Sequence, residues 1–307
     1  MALPAPALML CASLLFALMA VCVKFASADY GAGEIVLYRS LIGLALMAVV
    51  LRARRTPVRT RLPAMHFWRS LAGTSALCLW FYSLAALPLG TAMTLNYMSS
   101  VWIACFLMGA AVLAGPGSPA RIDGRLFASV LAGFAGVGLV LRPTIAQDQL
   151  WHGLCGLLGG LLAAMAYLQV TALGRAGEPE ERVVFYFSLS GVVAGLLLAL
   201  ATTGLHAHSA RGLGLLLAIG LLATAAQWMM TRAYAIGSTL AVAALQYMGI
   251  VYSFALGVWL FHDPVTASSL AGTGLILAAG LAATFLRTPS PVAGARLPPS
   301  PPLSTDR

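Results

Sequence analysis

The sequence predicts an all-α integral membrane protein of ten transmembrane helices, built as two inverted five-helix repeats. Three observations predict it. Hydrophobic residues make up 60% of the 307 and charged residues only 9%, whereas a soluble domain carries about a quarter charged. Apolar runs of about 20 residues, the length that crosses a bilayer, recur along the chain. Two of these runs share a pattern, "NYM" (96–98) and "QYM" (246–248), at corresponding places in the two halves.

The ten runs span roughly 7–26, 33–51, 66–87, 90–113, 125–141, 153–173, 183–202, 213–232, 239–261 and 267–286. Gly, Pro and charged residues punctuate the joints: "DYGAG" (29–33), "LPLG" (87–90), "GPGSP" (115–119), "RAGEPEE" (175–181) and "HDP" (262–264). Joints this short force neighbouring helices to run antiparallel. Helices follow because backbone exposed to lipid must satisfy its own hydrogen bonds. The first run is longer than a signal-peptide core and no basic residue precedes it, so a retained helix is expected. The chain divides into a first repeat (1–147), a second (148–287) and a Pro-rich tail (288–307) expected to be disordered.

Charge sets the orientation. Arg52, Arg54, Arg55, Arg59 and Arg61 lie between runs two and three, with Arg69 just inside run three. Arg121, Arg125, Arg175, Arg182, Arg232, Arg287, Arg296 and Arg307 fall on the same side if every run crosses. Only Arg142 and Arg211 fall on the other, with Lys24 and Arg39 in or near the membrane. The positive-inside rule then puts both termini in the cytoplasm of a bacterial-type inner membrane. The net charge of +9 is thus topological. Without interleaved aromatics or a recognition motif it does not indicate nucleic acid. The five cysteines all sit in apolar runs with no CxxC, and read as small hydrophobes.

The repeat extends beyond its three-residue core. "YSLAALPLGTAM" (82–93) loosely matches "RAYAIGSTLAVA" (232–243), and "LAGFAGVGLVL" (131–141) resembles "LAGTGLILAAG" (270–280). Each half holds five spans. Five is odd, so the second half enters the membrane inverted, an arrangement that places a site near the midplane between halves.

Polar groups inside the spans are costly and tend to face the bundle interior. They are Arg39, Ser75, Asn96, Ser99, Ser100, Gln169, Gln227, Thr231, Gln246 and Ser253. Asn96, Ser99 and Ser100 fall within one helical turn. Asn96 and Gln246 are repeat-equivalent and are expected to oppose each other across one cavity. Tyr97 and Tyr247 are paired in the same way, about 100° around the helix. These groups either bind a substrate or tie helix to helix. Trp80, Trp102, Trp228 and Trp259 either line the cavity or form interfacial belts. Lys24 is expected to snorkel at the outer end of span one, with Glu34 placed to neutralise it.

The "VKFAS…EIVLYRS" opening (23–40), the five-plus-five repeat and the ending "LFHDPVTASSLAGTGLILAAGLAA" (260–283) resemble the drug/metabolite transporter superfamily, in its EamA-domain branch. The resemblance covers about residues 7–287. It implies a secondary carrier exporting or taking up amino acids, other metabolites or drugs; some members carry S-adenosylmethionine or sugars. The family commonly has a Glu at the end of span nine, where this chain has His262 and Asp263.

The expected function is therefore export of small metabolites by alternating access, with an uptake carrier or exchanger as the alternative. A channel or an integral-membrane enzyme is more distant, since the nine acids are scattered and the joints short. No GxxxxGK[ST] loop is present, no Asp or Glu lies mid-span, and no cofactor is implied. "HAH" (206–208) reads as a solvated outer loop. The partners expected are a small-molecule substrate and the bilayer, with the protein a monomer or weak dimer. The candidate substrate-binding residues are Arg39, Asn96, Tyr97, Ser100, Gln246, Tyr247, Trp80, Gln169 and Gln227. Arg39 has two readings: an anchor for carbonyls at the outer end of the helix, or a cavity group that meets substrate.

Overall fold

The computed structural model describes residues 3–113, 124–141, 150–262 and 266–285. The tail from Thr288 onward and Asp263 lie outside the described residues. Twelve helical segments are described: α1 (Ala5–Ala26), α2 (Ala32–Ala53), α3 (Pro63–Ala86), α4 (Leu89–Tyr97), α5 (Ser99–Leu113), α6 (Gly124–Leu141), α7 (Leu150–Arg175), α8 (Glu180–Ala201), α9 (Ala210–Ile236), α10 (Thr239–Leu245), α11 (Met248–Phe261) and α12 (Ala267–Phe285). No strand occurs among the described residues. Among the described residues, six stretches are long and apolar enough to cross a membrane: α1, α2, α7, α8, α9 and the run Ala241–Phe261 through α10 and α11. α3 is as long but carries His66, Arg69, Ser70 and Thr74 on its buried face.

Local chemistry sets the helix ends. Pro63 occupies the first turn of α3, where its missing N–H costs nothing. Ser209 caps α9 by accepting from the Gly212 N–H at 3.0 Å. α11 ends at His262, which takes the left-handed conformation (φ 55°) otherwise favoured by glycine.

Two runs expected to be continuous are broken. The fourth (90–113) is interrupted at Met98, between α4 and α5, and the ninth (239–261) at Gln246 and Tyr247, between α10 and α11. Neither break contains a proline. At both, the amides tighten onto carbonyls three residues back: Val101 to Met98 at 3.0 Å, Tyr247 to Ala244 at 3.1 Å and Ile250 to Tyr247 at 3.0 Å. The two breaks meet. α4 packs on α11 and α5 on α10, and the Ser100 hydroxyl donates to the Ala243 carbonyl at 2.6 Å.

The principal pairings are α2 with α8, α3 with α7, α1 with α9 and α6 with α12. Glycine permits the closest of them. A β-carbon on Gly195 would lie 2.5 Å from the Leu37 nitrogen, and one on Gly33 would lie 2.5 Å from the Ala199 nitrogen. α2 and α8 therefore touch backbone to backbone, the small-residue packing used where both helices face lipid. Apolar side chains on the outside fit that setting: Val49, Leu197, Leu200 and Trp259 are exposed.

Each end of the α2–α8 pair clamps a loop. At one end, Glu34 is fully buried and accepts from the His206 main-chain N–H and from its ring Nδ1 at 2.8 Å. Tyr38, one turn on, pairs its hydroxyl with His208. At the other end, Arg182 donates from Nε to the Pro57 carbonyl at 3.0 Å, and Tyr186, one turn on, donates to the Val58 carbonyl at 3.0 Å. One expectation is thereby corrected. Glu34 is engaged by His206 rather than by Lys24, which donates to the Leu87 carbonyl at 3.0 Å. The "HAH" segment is the exposed loop expected, and His206 and His208 also bond to Glu34 and Tyr38 from it.

Glu178 completes the second clamp. It accepts from Thr60 at 2.7 Å and from Arg182 at 2.8 Å, and pairs with His66 at 3.2 Å. Burial pushes its carboxyl up, but the hydrogen bonds from Thr60, Arg182 and His66 outweigh this and leave it below the usual carboxylate range. A carboxyl lowered on folding stabilises above its unfolded value and loses that contribution as pH falls through the folded value. Glu178→Gln is expected to lower stability by about 1–3 kcal/mol near neutral pH. It should also flatten the acid limb of a thermal-unfolding profile measured against pH. An acid limb as steep as that of the wild type would remove Glu178 from the clamp.

Candidate functional site

The buried apolar side chains form two clusters, and a polar layer separates them. On α1, Met19 to Ala26 belong to one cluster and Ala5 to Ala12 to the other, with Ser13 between. On α9, Ala223 belongs to the first and Met230 to the second, with Gln227 between. At this level lies a cavity walled by α1, α2, α3, α7, α8, α9 and both helix breaks.

Six of the nine candidate residues stand in its wall: Arg39, Trp80, Asn96, Tyr97, Gln227 and Gln246. Arg39 points inward rather than toward the helix-end carbonyls, with 5% of its surface exposed. Gln246 donates to the Tyr234 hydroxyl at 2.8 Å, while its carbonyl oxygen and the Gln227 amide nitrogen have no partner. The break at Met98 changes the helical geometry assumed for this segment. Adjacent Asn96 and Tyr97 both reach the wall, although about 100° separates neighbours on an unbroken helix.

Three candidates stand elsewhere. Ser100 lies beyond the break and bonds Ala243. Tyr247 packs where Gly133 of α6 leaves room for its ring, with the closest approach 2.7 Å from a β-carbon placed there. Gln169 is half-buried on α7, away from the wall. Of the other tryptophans, Trp259 is 74% exposed and Trp228 packs beneath Arg54.

The residue missed from sequence is Arg69. Counted there as a marker of the cytoplasmic side, it is 2% exposed and lines the cavity. Gly73, one turn along α3, makes room for it: a β-carbon there would lie 2.7 Å from Arg69 Nη1. Both guanidiniums lie over the Phe187 ring, Arg39 at 5.3 Å and Arg69 at 3.9 Å from its centroid. The charges are thus within about 9 Å of each other, and their repulsion is about 2 kcal/mol at an effective dielectric of about 20. Among the described residues neither forms an ion pair; the acids pair at the helix ends. Arg39 Nε, Arg69 Nε and Arg69 Nη1 donate to nothing.

No family model matches the chain. Over 272 residues it is 32% identical to the pseudopaline exporter CntI of Pseudomonas aeruginosa, covering 88% of this chain and 92% of the exporter. The chain belongs to this family of membrane transporters. The transporter is also 30% identical over 227 residues to the riboflavin transporter of Rhizobium johnstonii, covering 73% of this chain and 71% of that protein. A solved crystal structure matches the transporter's fold at a TM-score of 0.76, with 18% identity and 92% and 99% of the two chains covered. In a transporter of small molecules, a polar cavity between two apolar clusters is where cargo would lose its hydration shell to protein groups.

The Phe187 side of the site also carries an unread repeat. "YRSLIG" (38–43) on α2 matches "YFSLSG" (186–191) on α8. The contacts are reciprocal: Gly43 faces the Ser188 hydroxyl and Gly191 faces the Ser40 hydroxyl. In this register Arg39 corresponds to Phe187, the ring it lies over.

Proposed function

We propose that the chain is a ten-span secondary carrier of the drug/metabolite type, exporting small metabolites across the inner membrane with both termini cytoplasmic. It would work by alternating access, one inverted five-span half rocking against the other. The observation that carries this is the cavity whose wall comes from both halves, at the level where two helices break. Discontinuous helices around a midplane site are the recurrent architecture of such carriers.

Pairing supports the two-half reading. Exchanging α1–α6 with α7–α12 maps α2/α8 and α6/α12 onto themselves, α1/α9 onto α7/α3, and α4/α11 onto α10/α5. The clamps exchange too: Glu34 and Tyr38 hold the α8–α9 loop, and Arg182 and Tyr186 hold the α2–α3 loop. Opening one clamp while the other stays shut would expose the cavity to one side at a time. The pseudopaline exporter favours export as the direction.

Cells expressing the protein are expected to accumulate particular small metabolites in the medium, scored by untargeted profiling against cells expressing a clamp-crosslinked control. Good membrane expression with no metabolite altered in either direction would overturn the carrier reading.

A further inference from the structure

The cavity holds two cations and, among the described residues, no anion to balance them. Charged groups at membrane depth ordinarily pair with one another or with backbone carbonyls. Here three guanidinium nitrogens on Arg39 and Arg69 have no acceptor, in residues 5% and 2% exposed. The Phe187 ring orients both forks through its face but contributes no negative charge. The missing partner is one that enters and leaves.

We propose that the cavity selects a small organic dianion bearing two carboxylates, one held by Arg39 and the other by Arg69, across the Phe187 ring. The assignment rests on the carrier reading and names its substrate class. Two features fix the chemistry. A guanidinium presents parallel N–H donors that match the two oxygens of a carboxylate. The two forks share one ring and are close enough for acidic groups of a single small molecule to bridge. The rest of the wall suits the neutral polar part of such a molecule. Gln227 offers an unused amide donor, Gln246 an unused carbonyl acceptor, and Ser13 a hydroxyl with no partner. Among the described residues no carboxylate lines the cavity, so a purely cationic cargo finds no counter-ion among them.

The test is ligand-induced thermal stabilisation of the purified full chain in detergent at constant ionic strength. The probes are glutarate and succinate, with glutaramide and succinamide as neutral matches and inorganic phosphate as a second oxyanion. At least one dicarboxylate is expected to stabilise saturably, and its amide match to bind at least about tenfold more weakly. Arg39→Gln and Arg69→Gln should each weaken the dicarboxylate by a similar factor, with Arg39→Lys and Arg69→Lys in between. Equal stabilisation by the neutral amides, stabilisation by phosphate alone, or none by any dicarboxylate overturns the proposal. The ligand series uses wild-type protein, so a variant that fails to fold does not blunt it. Metabolite profiling separates the two readings. Export of a compound without acidic groups leaves the carrier standing and removes the dianion, whereas no altered metabolite removes the carrier while the binding series still reads the site.

Discussion

An alanine at position 195 is expected to cost the protein about 3 kcal/mol of stability, enough to deplete it from the membrane. The added methyl would sit 2.5 Å from the Leu37 nitrogen and 2.8 Å from its Cα, so the contact is with backbone. No side chain can rotate out of the way. α2 and α8 must separate instead, and that opens the contacts beside Arg39 and Phe187. Intrinsic propensity pulls the other way, since alanine is favoured over glycine in a helix by about 1 kcal/mol. The sign of the change is therefore diagnostic. Gly138→Ala on α6, where nothing lies within 4 Å of the added carbon, is the matched control and should be neutral or stabilising. Thermal unfolding of both variants in detergent decides it. A Gly195→Ala protein as stable as Gly138→Ala would mean that the α2–α8 contact tolerates separation.

Arg39→Ala is expected to reduce transport at least about tenfold while leaving the fold intact. The two effects come from one geometry. Removing the guanidinium deletes the charged contact proposed for the substrate, but it also relieves the repulsion between Arg39 and Arg69, about 2 kcal/mol at an effective dielectric of about 20. Stability should hold or rise as transport falls. Arg39→Lys keeps the charge and loses the fork, so it should recover only part of the rate. Export or counterflow from proteoliposomes measures the first effect and thermal unfolding the second. Wild-type flux from the alanine variant would make Arg39 an anchor of the helix pair. A large loss of stability would assign it to folding.

The fold was legible from the sequence where a single physical rule acts on a long window. Apolar length marked α1, α2, α7, α8 and α9 as spans to within a few residues. The breaks at Met98 and at Gln246–Tyr247 were not legible, because they contain no proline and lie where α4 packs on α11 and α5 on α10, contacts far apart in sequence. The candidate site divided along the same line. Arg39, Asn96, Gln227 and Gln246 stood out as polar groups within apolar runs and do reach the cavity wall. Ser100 and Tyr247 fell away because the argument from helical spacing does not survive a break. Arg69 was hidden by its neighbours: it follows a cluster of loop arginines and lies less than two turns inside α3, so its charge was assigned to topology. The match of "YRSLIG" to "YFSLSG" was present throughout, and would have pointed to α2 and α8 as the central pair.

That match departs at two positions, Arg39 against Phe187 and Ile42 against Ser190, and the first has an ancestral consequence. On the proposed two-fold axis, a protein assembled from two copies of the first half would bring Arg39 against its own duplicate. Two copies of the second half would bring Phe187 against Phe187. Neither homodimer yields one cation stacked on one ring. The stack exists only where the halves differ, so a dimer of identical half-length chains could not form it.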